Sequence, residues 1–274
     1  MKNLNNVFVK FTLAVMLTLV GLTVNNFAAP VVRTASGANA AAIQATVDQF
    51  RNDLGALNPN VAQTFPTGRR EINWDGVPDA LSAPNNMPAN FFNVNSPRGA
   101  VFTSPCSNSQ FRVSSTAASG NPVRFGEIDP SYTNSFTTFS PQRLFTVIPV
   151  FPASCNTLTI NFFAAGTTTP ATVSGFGVVF TDVDTTGTAR FNCFNAAGGL
   201  LGGGVFVPTA APGGLSFIGV SFNEGERIAQ CQITSGTLGL APGHVNGLLG
   251  NDIVAMDDFI YGEPQPVQTP TSSF

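Results

Sequence analysis

The sequence predicts an all-β protein, an antiparallel β-sandwich of jelly-roll-like type preceded by one N-terminal amphipathic helix. Three observations predict it. From about residue 70 onward, apolar and polar residues alternate with period two in segment after segment. Clusters of Gly, Pro, Asn and Ser separate these segments, in a chain with 27 Gly and 20 Pro. Only one stretch carries a helical period, and it lies before the alternation begins.

The first element is a leader. Lys2 and Lys10 precede an apolar segment, residues 11–29 (FTLAVMLTLVGLTVNNFAA), and no charge falls between Lys10 and Arg33. A weakly basic start and a short apolar stretch describe a secretory signal. Ala38-Asn39-Ala40 is an A-x-A site and Pro30 disfavours cleavage after Ala29, so residues 1–40 are expected to be removed. No later segment is apolar for long enough to span a bilayer. The helix follows at 41–57 (AAIQATVDQFRNDLGAL), within a helix-and-linker region 41–69. Ile43, Val47, Phe50 and Leu54 recur at helical period, and Gly55 with Asn58-Pro59 ends the element. The sandwich itself is expected at 70–262. Ile72 and Trp74, Phe111 and Val113, Leu158, Ile160 and Phe162, and Phe191 and Cys193 each alternate with polar neighbours. Further strand runs fall at 99–104, 143–148, 174–183, 200–207, 215–222, 226–234 and 252–260. The tail 263–274 (EPQPVQTPTSSF) reads as disordered.

Composition excludes several classes. Residues 1–40 hold Lys2, Lys10 and Arg33 and no acid. Without them nine basic residues remain, all Arg, against 15 acids, a net charge of −6. Such a chain lacks the basic face that nucleic-acid phosphates require. Cys106, Cys155, Cys193 and Cys231 are an even set, which in an exported chain favours two disulfides. Cys193 shares a strand face with Phe191, and Cys231 shares one with Ala229 and Ile233. Both thiols then point inward, so Cys193 pairs with Cys231 and, by elimination, Cys106 with Cys155.

No complete catalytic constellation is present. Asp257 and Asp258 lie inside the last strand, where alternation sends neighbours to opposite faces, and both faces are apolar. At least one carboxylate therefore needs an Arg, a run of backbone amides or Ca²⁺. Asp182 and Asp184 in FTDVDTTG (180–187) match the opening half of a calcium loop, with Cys193 where the bidentate Glu belongs. A polar hairpin turn is the other reading. Glu127 and Asp129 could form a glycosidase pair or a solvated turn. Sugar-stacking candidates are few: Trp74, which alternates with Ile72 as a core residue would, and Tyr132.

The opening INWDGVPDALSAPNNMPANFFNVNSPRGAVF (72–102) and the close VAMDDFIYG (254–262) resemble the first and last strands of secreted bacterial lectin-like jelly-roll domains. These domains are frequent in proteins with a PEP-CTERM sorting tail. The likeness covers about residues 70–262; after Gly262 the sequence shows no such tail. The resemblance implies a non-catalytic protein outside the cell, with its first and last strands adjacent and acids there holding a structural Ca²⁺. In this chain those acids are Asp75, Asp257 and Asp258. The expectation is therefore a secreted, non-enzymatic β-sandwich at the cell exterior or in the periplasm, with carbohydrate as the best ligand. A secreted glycan hydrolase using paired carboxylates and a purely structural envelope or matrix component are the alternatives.

Overall fold

The computed structural model describes residues 29–106, 108–149 and 155–267. The apolar core of the leader and residues 268–274 of the tail lie outside the described residues. The chain folds as an all-β antiparallel sandwich. One sheet has seven strands, in the order β1 (Val31–Gly37), β10 (Ala211–Ser221), β8 (Gly175–Val183), β12 (Ala255–Gly262), β5 (Phe145–Ile148) and β4 (Gln110–Val113), with β2 (Arg69–Ile72) also paired to β12. The facing sheet runs β3 (Ala100–Thr103), β6 (Thr157–Phe162), β11 (Gln230–Thr234) and β9 (Arg190–Phe194). Two short strands, β7 (Ala171–Thr172) and β13 (Gln265–Pro266), pair with each other. The helices are α1 (Ala40–Leu54) and two single turns, α2 (Phe91–Val94) and α3 (Tyr132–Ser135).

Alternation builds the core between the sheets. Leu158, Ile160 and Phe162 of β6 point inward while Thr157, Thr159 and Asn161 are part-exposed. They meet Phe176, Val178 and Phe180 of β8 and Met256, Phe259 and Tyr261 of β12. β8 is buried along its whole length, because α1 covers its other face. Ile43, Val47, Phe50 and Leu54 of α1 lie on Val179, Leu215, Phe217 and Ile260. Each buried side chain of this size contributes roughly 1.5–3 kcal/mol relative to exposure. Phe50 fits because β8 and β10 place Gly177 opposite Gly219 beneath its ring. A Cβ at either glycine would come within 2.6–2.8 Å of that ring.

Both expected disulfides are present. Cys193 and Cys231 are direct cross-strand partners of β9 and β11, with Cα atoms 4.1 Å apart. Cys106 and Cys155 join at a Cα separation of 6.1 Å. Each stabilises by roughly 2–4 kcal/mol. Such bridges are compatible with an extracellular or periplasmic protein. No helix among the described residues is long and apolar enough to cross a membrane.

Several boundaries move. Val31–Gly37, expected to leave with the leader, pairs with β10 over seven registers. Asn39, read as part of a cleavage site, caps α1 by accepting from the Ala42 N–H at 3.2 Å. The tail is ordered to Val267 among the described residues. Glu263 forms a buried bidentate pair with Arg70 (2.6 and 2.9 Å), and β13 follows it. Residues 200–207 form no strand: the glycines there curl the chain through turns, and only Leu200 and Phe206 make isolated bridges to β9. Trp74 and Tyr132 are core residues, not sugar platforms. Trp74 is 0% exposed and stacks on Phe145 at 4.0 Å, with Phe92 and Phe259 edge-on. Tyr132 is 1% exposed, and its hydroxyl donates to the carbonyls of His244 (2.5 Å) and Ala241 (3.1 Å).

Candidate binding cleft beside Asp257 and Asp258

The acidic doublet sits where β12 changes partner. On one side β12 pairs with β5 at Met256 and with β2 from Phe259 onward. On the other side β8 aligns Phe180 with Met256 and Val178 with Phe259, so β12 takes three steps for two on β8. Asp257 and Asp258 form this β-bulge. A bulge inserts one residue and re-aims its side chains. Strict alternation therefore fails here, and the two carboxyls converge instead of separating. Trp74, just beyond β2, donates its indole N–H to the Asp257 carbonyl at 2.9 Å, which satisfies a backbone group left unpaired at the change of partner.

The loop 139–143 supplies the other partners. The Phe139 N–H donates to Asp257 Oδ2 at 2.6 Å. Ser140 Oγ lies 2.6 Å from Asp258 Oδ1 and 3.0 Å from Asp257 Oδ1. Arg51 Nη2 lies 3.4 Å from Asp258 Oδ2. Burial pushes the Asp257 carboxyl well up, and the neighbouring Asp258 charge adds to it. Asp258 is also raised by burial, against the pull of Ser140 and Arg51. The Ser140 hydroxyl has one proton for two carboxyls, so the pair needs a second. Burial raises Asp257 the more strongly, which favours a proton there, while Asp258 faces Arg51.

Asp75 fixes the same loop by accepting from the N–H groups of Gln142 (2.5 Å) and Arg143 (3.0 Å). Asp75 faces loop amides, Asp257 accepts from the Phe139 amide, and the Arg51 guanidinium faces Asp258. Among the described residues no group of three or more His, Cys, Asp or Glu side chains is arranged to hold a metal ion.

Beside Asp258 opens a cleft of about 470 Å³. α1 contributes Gln44 and Arg51, and the segment after it Leu57 and Asn60. β2 and its end contribute Glu71 and Asn73, and Arg98, Phe139, Ser140 and Pro141 close the rim. Arg51 binds Glu71 through Nε (3.0 Å) and Nη2 (2.9 Å), and Arg69 reaches the same carboxylate at 2.6 Å. Sequence reasoning found Asp257 and Asp258 but not Arg51, Glu71, Arg98 or Ser140, which come from four distant segments and carry no shared motif.

The remaining candidates lie elsewhere. Asp182 has a left-handed backbone (φ 67°) and is buried, accepting from the Gly213 N–H (2.7 Å) and from Asn246 Nδ2 (2.5 Å). Burial pushes its pKa up to about 6, and the charges of Asp184 and Asp252 add to this against those two hydrogen bonds. Asp252 holds the turn after Asp184, accepting from the N–H groups of Asp184 (3.1 Å) and Thr185 (3.0 Å) and from the Thr188 hydroxyl. Glu127 and Asp129 do not form a pair. Glu127 is half-buried 3.8 Å from Arg112, and its partial burial raises its pKa. Asp129 caps a turn through the Ser131 N–H and hydroxyl (3.0 and 2.7 Å). No protein-family model matches the chain, and no match was found among curated proteins or solved structures.

Proposed function

We propose that this is a secreted, non-catalytic β-sandwich that binds carbohydrate in the cleft between α1 and the loop 139–141. The lining of that cleft carries the reading. Sugar hydroxyls both donate and accept, and planar amide, carboxylate and guanidinium groups answer them in pairs. Gln44, Asn60, Asn73, Glu71 and Arg51 offer such groups around the apolar surface of Leu57, Phe139 and Pro141. The volume of about 470 Å³ falls in the usual range for small-ligand sites. Asn60 and Asn73 are exposed, free to meet a ligand. A role outside the cytoplasm is supported by the basic-then-apolar N-terminus and by two disulfides.

The hydrolase reading has less support. A general acid must present its proton to the scissile oxygen. Asp257, the carboxyl of the pair that burial raises most, is 0% exposed. Glu71 is held by two guanidiniums, and Glu127 and Asp129 face different surroundings. The test is a glycan array followed by calorimetry on any ligand it finds. The double variant Asn60→Ala/Asn73→Ala is expected to weaken binding about tenfold or more, as loss of two hydrogen bonds predicts, with an unchanged unfolding midpoint. No binding across the array, or full affinity in the double variant, overturns the reading.

A further inference from the structure

Two guanidiniums and two carboxylates line the cleft, and their charges do not pair evenly. Arg51 is bonded to both Glu71 and Asp258. Glu71 has Arg69 behind it as well. Arg98 makes no ion pair among the described residues. Its Nη1 donates to Ser96 Oγ, its Nε is buried without a partner, and its guanidinium carbon lies 5.2 Å from the centre of the Phe92 ring. The aromatic face and the serine hydroxyl hold the group in place. A fixed, unpaired guanidinium in a chain with excess acid is a costly arrangement, and an anionic ligand relieves it. Burial pushes the Arg98 pKa down, and Arg70 nearby adds to this, so a carboxylate there would offset a penalty the free protein carries.

We infer that the cleft takes an acidic saccharide, with a uronate carboxylate seated on Arg98 and the sugar hydroxyls on the amides and carboxylates opposite. This rests on the carbohydrate-binding reading and adds the charge of the ligand to it. A guanidinium meets a carboxylate with charge-assisted and often paired hydrogen bonds, which gives both affinity and orientation. Glu71 and Asp258 do not repel the ligand strongly, because each already faces the Arg51 cation.

The experiment compares an oligogalacturonate with its methyl ester, in which the same chain has lost its charge. Calorimetry is run on wild type, Arg98→Gln and Arg98→Lys, with unfolding midpoints as a control. The acid is expected to bind wild type about tenfold tighter than the ester, or more. Arg98→Gln should abolish that preference, while Arg98→Lys should keep part of it. Equal affinity for acid and ester in wild type, or a preference that survives in Arg98→Gln, overturns the inference. Neutral glycans that bind through Asn60 and Asn73 while the acid gains nothing would sink this inference and leave the carbohydrate reading standing. An array with no ligand at all would remove both.

Discussion

Protons decide the chemistry of Asp257 and Asp258. Asp257 Oδ2 receives the Phe139 N–H, so a proton on Asp257 would sit on the Oδ1 side, facing Ser140. Ser140 would then donate its own hydroxyl hydrogen bond to Asp258. Asparagine at 257 can mimic this, with its carbonyl on the Phe139 amide and its NH₂ on Ser140. Asparagine at 258 cannot, since it sets an NH₂ against Arg51. Asp257→Asn should keep its stability at pH 7, whereas Asp258→Asn should lose about 1–3 kcal/mol there. The pH dependence has a definite sign. A carboxyl raised in the folded state binds a proton the unfolded chain has released, so it stabilises below the unfolded value and loses that contribution as pH rises through the folded one. Asp182 moves from 3.8 to about 6, so its contribution fades between about pH 4 and 6, and Asp257 acts in the same sense. Denaturant titrations across that range should show wild-type stability falling with pH, less steeply in Asp257→Asn. A larger loss in Asp257→Asn than in Asp258→Asn at pH 7 would contradict the assignment of the proton. The doublet was legible in the sequence as two acids in an apolar strand. The bulge was not, because it depends on the registers of β8, β5 and β2 against β12, which no local pattern encodes.

At the scale of elements, α1 shows what periodicity can and cannot tell. Its buried stripe of Ile43, Val47, Phe50 and Leu54 is the one the spacing predicts. What the stripe lies on was not readable. Gly177 and Gly219 become partners only through the pairing of β8 and β10, and together they leave room for one phenyl ring. Glycine in a strand interior normally weakens it, so the ring above compensates for what the strands lose. Gly219→Ala places a Cβ 2.8 Å from the Phe50 ring and should cost about 1–3 kcal/mol through overpacking. In a Phe50→Ala background the same change should cost much less. Urea unfolding of the four proteins gives the coupling directly. Equal costs in both backgrounds would show that the helix does not depend on the glycine pair. The same limit explains β7. A strand is recognised by alternation over several residues, and Ala171–Thr172 is too short to show any.

For the whole molecule, the N-terminal boundary matters most. Ala38-Asn39-Ala40 satisfies two demands with the same residue types. Small side chains suit a signal-peptidase site, and they also suit a tight passage from a strand into a helix capped by Asn. Only the tertiary structure separates these, because the seven partners of β1 lie far along the chain in β10. A chain beginning at Ala41 would lose β1 and bare one edge of β10, an open invitation to aggregation. It would also lose the Asn39 cap, worth about 1 kcal/mol, and the Arg33–Asp53 pair at 2.8 Å, which at the surface adds little. Cleavage before Val31 avoids all three losses and keeps ten Arg against 15 acids, a net charge of −5. Protein recovered from outside the cytoplasm should therefore begin at or before Val31 on N-terminal sequencing. A protein engineered to start at Ala41 should unfold at lower denaturant and aggregate more readily than one starting at Pro30. If exported protein begins at Ala41 and matches the longer chain in stability, β1 is dispensable and the edge of β10 is protected by something other than this strand.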